Sequence, residues 1–74
     1  MSATLRLSGA LREYNEGKSE LQVEPGRTVR EAVTALGIVP ETIAVVVVND
    51  EQKTKDHIIQ EGDVVLVLAI IGGG

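Results

Sequence analysis

One segment of the chain has the periodicity of an amphipathic helix, while the other apolar segments have the composition of strands. Thr28 and Glu31 have the spacing of a capping box, in which each side chain satisfies a free backbone N–H at a helix start. Gly37 can end the helix in a left-handed conformation, and Pro40 blocks its continuation. The sequence therefore predicts a short helix from Thr28 to Leu36, with one apolar stripe formed by Val29, Ala32, Val33 and Leu36.

Two strands are predicted before the helix. Thr4–Ser8 and Ser19–Glu24 alternate apolar and polar residues, which is typical of half-buried strands. Glycines bracket the connection between them, so we expect a hairpin with a long loop. Leu11 and Tyr14 in that loop are expected to fold back on the domain. The residues expected to face the core are Leu5, Leu7, Leu21 and Val23.

Two apolar strands, at 43–48 and 64–71, are predicted after the helix, with a short edge strand near 52–55 between them. Ile58 and Ile59 are expected to plug the core from a turn. The order β-β-α-β-(β)-β predicts an α+β fold of the β-grasp (ubiquitin-like) type. In this fold a mixed sheet of four to five strands carries one main helix on one face, and the first and last strands lie side by side at its centre.

The two later strands do not alternate, although one helix covers only one face of a sheet. Each strand has apolar residues at both its odd-numbered and its even-numbered positions, which point to opposite faces of the sheet. The side chains of one of these two sets (one parity) should therefore reach solvent. Loops over the second face would explain this pattern, as would isolated exposed valines. We favour a contiguous apolar patch that binds a partner. Our assignment places Val46, Val48, Val65 and Val67 inward and Val45, Val47, Leu66 and Leu68 outward.

Composition excludes several classes of protein. At 74 residues the chain is one domain at most, and 43% of its residues are hydrophobic. It contains no cysteine and a single histidine, so neither disulfides nor a cysteine–histidine metal site is expected. The net charge is −4 and the basic residues are scattered, which argues against binding of nucleic acid. No secretion signal or run long enough to span a bilayer is visible, so we expect a cytoplasmic protein that is monomeric when free.

No arrangement of side chains indicates a catalytic site. His57 lies beside Asp56 in a turn-rich stretch without a nearby nucleophile, which favours a partly exposed turn histidine. The acidic residues of the same region lack the spacing of a calcium loop and are expected to be solvated: Asp50, Glu51, Asp56, Glu61 and Asp63. We therefore expect neither a bound cofactor nor enzymatic activity.

The chain ends in a glycine tail, Gly72, Gly73 and Gly74, which follows a domain expected to span residues 1–71. Glycine stabilises neither a strand nor a core, so the tail calls for another explanation than folding. It could be a frayed end. Alternatively, three extended residues reach about 10 Å and could carry the carboxylate of Gly74 into the active site of another protein. That carboxylate is an anion at neutral pH.

The order of elements, the GDVV that opens the last strand and the terminal Gly73–Gly74 together resemble the ubiquitin-like sulfur carriers. This family includes the small subunit of molybdopterin synthase and the sulfur carrier of thiamine biosynthesis (MoaD/ThiS). LREYNEG resembles the family's loop after the first strand, TVREAVTAL its helix, and DHIIQEGDVVLVL its approach to the last strand. The resemblance covers essentially the whole chain, and the glycine pair is its specific motif.

The resemblance implies a carrier rather than a catalyst. It implies that an ATP-consuming, ubiquitin-activating-like partner adenylates Gly74 and that sulfur from a persulfide donor then replaces AMP to leave a thiocarboxylate. A sulfur-accepting enzyme or large synthase subunit receives the sulfur, for molybdopterin, thiamine or a related thiolation. The resemblance also implies that the last strand and the apolar sheet face dock on these partners, with an interface comprising Val45, Val47, Leu66, Leu68, Ile70 and Ile71.

The sequence departs from the family in three respects. The residues before the glycines are VLAII, without proline or an aromatic, there are three glycines, and Tyr14 is the only aromatic residue. These departures leave the pathway open. Two further hypotheses remain: a protein modifier joined to lysines through its C-terminal glycine, and a plain β-grasp interaction module.

Overall fold

A computed structural model describes residues 2–69, and these form one mixed five-stranded sheet with one α-helix on a single face. The order across the sheet is β2-β1-β5-β3-β4. β1 and β5 are neighbours at the centre, as the sequence predicted; they are parallel, and the other pairs are antiparallel. The elements are β1 (Ala3–Leu7), β2 (Glu20–Val23), α1 (Val29–Ala35), β3 (Ile43–Val48), β4 (Glu51–Lys53) and β5 (Val64–Ala69).

The predicted capping box starts α1. Thr28 Oγ1 accepts a hydrogen bond from the Glu31 amide at 3.1 Å, and Glu31 Oε1 accepts one from the Thr28 amide at 2.9 Å. Gly37 follows the helix at φ 91°, the left-handed conformation expected of its terminal glycine. The helix buries Val29, Ala32 and Val33 against the sheet. Its position was therefore predicted correctly, with the residues at the two predicted ends serving as caps.

The core lies between α1 and the inner face of the sheet. β1 contributes Leu5 and Leu7 to it, and Ile38 and Ile59 join it from outside the strands and the helix. Each buried Val, Leu or Ile side chain contributes about 1.5–3 kcal/mol relative to exposure, so aliphatic residues supply most of the stability. The predicted inward residues of β3 and β5 are all buried: Val46, Val48, Val65 and Val67. Leu21 and Val23 of the edge strand β2 pack on this core but stay partly exposed.

The prediction that Ile58 and Ile59 both plug the core was half wrong. Ile59 is fully buried, but Ile58 is 52% exposed, since consecutive residues in extended backbone point in opposite directions. Leu11 and Tyr14 both fold back on the domain, as predicted, with Leu11 buried and Tyr14 51% exposed. The predicted loop is a 3-10 helix, Gly9–Asn15, and it directs Leu11 at the core while Tyr14 lies on the surface beside Gly37.

Candidate functional site

The open face of the sheet carries an apolar strip, which we define as Val45, Val47, Val64, Leu66 and Leu68. The helix covers the other face, so these side chains remain partly or fully exposed. The predicted outward parity of β3 and β5 is therefore correct. The strip exists because valine and leucine occupy positions where one-sided sheets normally carry polar residues.

Strand register brings the members of the strip together. Val45 lies opposite Leu68 and Val47 opposite Leu66, in neighbouring antiparallel strands. Residues paired in this way have Cβ atoms about 5 Å apart, so the four side chains form one continuous surface. Ala44 is an extra residue in β3 where the register shifts, which marks a β-bulge at one end of the strip.

Polar residues border the strip along both sides. Arg6 in β1 lies beside Leu66, and its guanidinium forms an ion pair with Glu20 in β2 at 3.3 Å. Gln52 in β4 lies opposite Val47 on the far side. An apolar centre with a polar border is the arrangement found in protein–protein interfaces.

A shallow depression of about 340 Å³ lies at the Val64 end of the strip. Arg6, Asn49 and Asp50 supply its polar walls, while Val47, Val64 and Leu66 supply its apolar ones. Val64 is 42% exposed and was missed as an interface candidate. Val64 lies two residues before Leu66 on the same strand, so its side chain points to the same face of the sheet, and this spacing could have identified it.

The opposite end of the strip lies at Leu68, near the end of β5. From there the sequence continues through Ile70 and Ile71 to Gly72–Gly74. All five of these residues were assigned to the functional site from the sequence, and they lie outside the described residues. The strip therefore runs along the strand that leads to the predicted reactive terminus.

A polar network next to the depression holds the start of β5. Asp63 is only 7% exposed, so the expectation that it is solvated was wrong. Its Oδ1 accepts from Asn49 Nδ2 at 2.8 Å, and its Oδ2 accepts from the Gln60 amide at 2.8 Å. His57 Nε2 lies 3.1 Å from the same Oδ2. Asn49 also accepts from the Val64 amide through Oδ1 at 3.0 Å, which joins the β3–β4 turn to β5.

The hydrogen bonds determine the charge state of Asp63. Burial by itself would raise the pKa of its carboxyl, but the Gln60 amide, His57 and Asn49 outweigh that effect. The pKa therefore lies below its ordinary value, and the carboxylate is ionised at neutral pH. His57 is partly exposed, as predicted, and its side chain is directed at Asp63. Within residues 2–69, no group of three or more acidic, histidine or cysteine side chains is placed to hold a metal ion.

Comparison with known proteins identifies the family. The sequence model of the ThiS family matches residues 5–74, which is nearly the whole chain. The chain belongs to the ThiS family. The resemblance inferred from the glycine pair and the order of elements is thereby confirmed.

The fold of this ThiS family member is shared with a solved structure. The crystal structure of SAMP1 from Haloferax volcanii superposes with a TM-score of 0.69 and 22% sequence identity, over 100% of both chains. The β-grasp prediction is thus confirmed. A comparison with curated protein sequences gives no match. None of the helices within residues 2–69 is long and apolar enough to cross a membrane.

Proposed function

We propose that this ThiS family member is a sulfur carrier whose reactive group is the C-terminal carboxylate of Gly74. In the first step a carboxylate oxygen attacks the α-phosphorus of ATP in a partner enzyme, forming an acyl adenylate and releasing pyrophosphate. A persulfide sulfur then attacks the acyl carbon and displaces AMP. Cleavage of the resulting disulfide by a reducing thiol leaves a thiocarboxylate on Gly74.

The apolar strip is the observation that supports this proposal most directly. Its centre lies on β5, the strand that precedes the glycine tail in the sequence. A partner that binds Val47, Leu66 and Leu68 therefore holds the strand from which the terminus extends. Five residues follow Ala69 in the sequence, and a fully extended stretch of that length would span about 17 Å, enough to bring Gly74 into a separate active site.

In this scheme the chain acts as carrier and cosubstrate, and its partners supply the catalysis. The activating enzyme consumes ATP, and the carrier itself binds no cofactor. We place the reaction in the cytoplasm, with the activating enzyme and a sulfur-accepting enzyme or large synthase subunit as successive partners. The acceptor is a precursor of molybdopterin or thiamine, or a related substrate of thiolation.

Mass spectrometry of the C-terminal peptide from protein purified from its native host tests the proposal. We expect the mass increase of an oxygen-to-sulfur exchange on Gly74. The peptide is preferable to the intact chain because oxidation of Met1 would mimic that increase. Incubation with ATP, a sulfur source and host extract should raise the modified fraction.

Two other results would contradict the sulfur-carrier proposal and favour a different function. A remnant of the tail linked to lysines of other proteins, without any thiocarboxylate, would identify a protein modifier. A tail unchanged after incubation with ATP, sulfur source and extract would leave the interaction module as the function. Omitting ATP provides the matched control, because adenylation must precede sulfur transfer.

A further inference from the structure

β2 is the outermost strand on one side of the sheet, and one of its two edges pairs with no other strand of residues 2–69. The Leu7 amide donates to the Ser19 carbonyl at 2.7 Å, which places residues 19, 21 and 23 in the hydrogen-bonded positions facing β1. The N–H and C=O of Gln22 therefore face away from the sheet. At the start of the strand, the Glu20 carbonyl accepts from Asn15 Nδ2 at 3.1 Å.

A groove of about 240 Å³ lies between this edge and α1. Its lining is mainly apolar and comes from both elements: Leu21 and Val23 from β2, and Ala32, Ala35 and Leu36 from the helix segment. Gln22, Glu24 and Arg27 complete it. Leu21, Val23 and Leu36 are packed against the core only on one side. A strand added next to Gln22 would direct every second side chain into this groove, because side chains of neighbouring strands share the same two faces.

The other outer strand of the described sheet offers no such groove. β4 has three residues, and all of them are exposed. The depression beside it is lined mainly by polar residues, four of them charged (Arg30, Lys53, Lys55 and Asp56), and its apolar lining is limited to Ile43, Ala44 and Val46. An aliphatic peptide is therefore expected to bind at β2 in preference to β4.

The charges along β2 decide what kind of strand fits. Glu20 and Glu24 flank Gln22, with side chains that are 57% and 82% exposed. If a second copy paired antiparallel about Gln22, Glu20 of each chain would lie opposite Glu24 of the other. Like charges directly opposite one another destabilise a strand pair. Glu20 also contacts Arg6 at 3.3 Å and Glu24 contacts Arg27 at 3.9 Å, but ion pairs as exposed as these are weak, so a cation of a partner can compete for both carboxylates.

We propose that β2 and the groove beside α1 bind an extended segment of another protein as a sixth strand, with aliphatic residues alternating with lysine or arginine. The aliphatic side chains fill the groove between Leu21 and Leu36. The basic side chains lie on the open face of the sheet, next to Glu20 and Glu24. The backbone of the segment bonds to the outward N–H and C=O of Gln22. This site is separate from the apolar strip and does not depend on the proposed sulfur chemistry.

A synthetic peptide tests the proposal with the full chain. The probe is a fluorescent seven-residue peptide of alternating lysine and valine, and its controls are a peptide of the same composition in two blocks and one with glutamate in place of lysine. In backbone-amide NMR spectra the alternating peptide should shift residues 20–24 and 32–36. We expect both control peptides to bind at least about tenfold more weakly than the alternating peptide, because neither matches both the groove and the charges.

Matched proline variants separate strand addition from simple charge attraction. Gln22→Pro removes an N–H that bonds to no strand, so the fold should survive while affinity falls about tenfold or more. Gln52→Pro makes the same change on the free edge of β4, where the hairpin register also turns the N–H outward, and should leave affinity unchanged. Gln22→Ala controls for the side chain, whose Oε1 accepts from Ser2 Oγ at 2.5 Å.

Peptides methylated on backbone nitrogens keep the test independent of the folding of any variant. In an extended peptide the N–H groups of the valines point to one edge and those of the lysines to the other. Methylating one of these two sets should therefore abolish binding to the unaltered protein, and methylating the other set should not. Equal binding of both would overturn the proposal. So would shifts confined to Val47 and Leu66, equal affinity for the glutamate peptide, absence of binding, or a dimer of the chain that Gln22→Pro dissociates.

Discussion

The side-chain amide of Asn49 donates a hydrogen bond to the carboxylate of Asp63 at 2.8 Å, and this bond joins the β3–β4 turn to the loop before β5. Asn49 adopts φ 50°, which asparagine tolerates better than most residues. Asp63 in turn accepts from the Gln60 amide and contacts His57. The network therefore fixes the beginning of the strand on which the apolar strip is centred.

Asp63→Ala should lower the free energy of unfolding by about 2–3 kcal/mol, because the substitution removes the charged acceptor of two partly buried hydrogen bonds, from the Asn49 side-chain amide and the Gln60 backbone amide. Urea denaturation followed by circular dichroism measures the change. Glu61→Ala, at an exposed position two residues earlier, should alter the value by no more than about 0.5 kcal/mol. Equal effects of the two substitutions would contradict a structural role for the network.

The contribution of Asp63 should disappear in acid. Its pKa is lowered in the folded protein from an ordinary value of 3.8, so the ionised form stabilises the fold. That contribution is fully present above the ordinary pKa and is lost as the pH falls through the lower, folded value. The difference in unfolding free energy between the unaltered chain and Asp63→Asn should therefore narrow below about pH 4. Urea titrations at a series of pH values measure it, and a constant or widening difference in acid would disprove the assignment.

Thr28→Ala should cost about 1 kcal/mol of stability, since it removes the oxygen that accepts the Glu31 amide at the start of α1. Thr34→Ala is the matched control within the same helix. Thr34 Oγ1 bonds back to the Arg30 carbonyl, and alanine is the better helix former, so this substitution should be neutral or slightly stabilising. Thermal unfolding of both variants provides the measurement. A smaller loss for Thr28 than for Thr34 would show that the capping box is dispensable.

Leu66→Asp should impair docking of the activating enzyme while leaving the fold intact. Leu66 lies at the centre of the apolar strip, and a charge there must be desolvated when the partner binds. We expect kcat/KM for ATP-dependent adenylation to fall by about tenfold or more. Val39→Asp places the same charge at another exposed apolar residue and should have little effect. Similar losses for both variants would argue against the strip as the interface.

Deletion of Gly73 and Gly74 should abolish adenylation and leave thermal unfolding nearly unchanged. Glycine has no side chain to bury, so the deletion takes no side chain away from the core that the described residues form. Adenylation measured by pyrophosphate release, alongside the melting temperature, separates these two effects. Activity that persists after the deletion would exclude Gly74 as the site of activation.

Local sequence determined the elements that depend on near neighbours. The capping box and the stripe at α1 place the helix because their interactions join residues three or four apart. The alternation in β1 likewise identified its buried side correctly, since polar residues mark the solvent face. The family was also recognisable from the chain, because the glycine pair and the order of elements are properties of sequence alone.

Tertiary structure decided whatever depends on contacts between distant segments. The residues of β3 and β5 are apolar on both parities, so only the position of α1 selects which valines are buried. Asp63 is indistinguishable in sequence from the solvated acids around it, and its burial follows from Asn49, fourteen positions earlier. Ile58 and Ile59 are chemically identical, yet opposite directions along extended backbone expose the first and bury the second. Burial is a relation between segments, whereas capping and periodicity are properties of one segment.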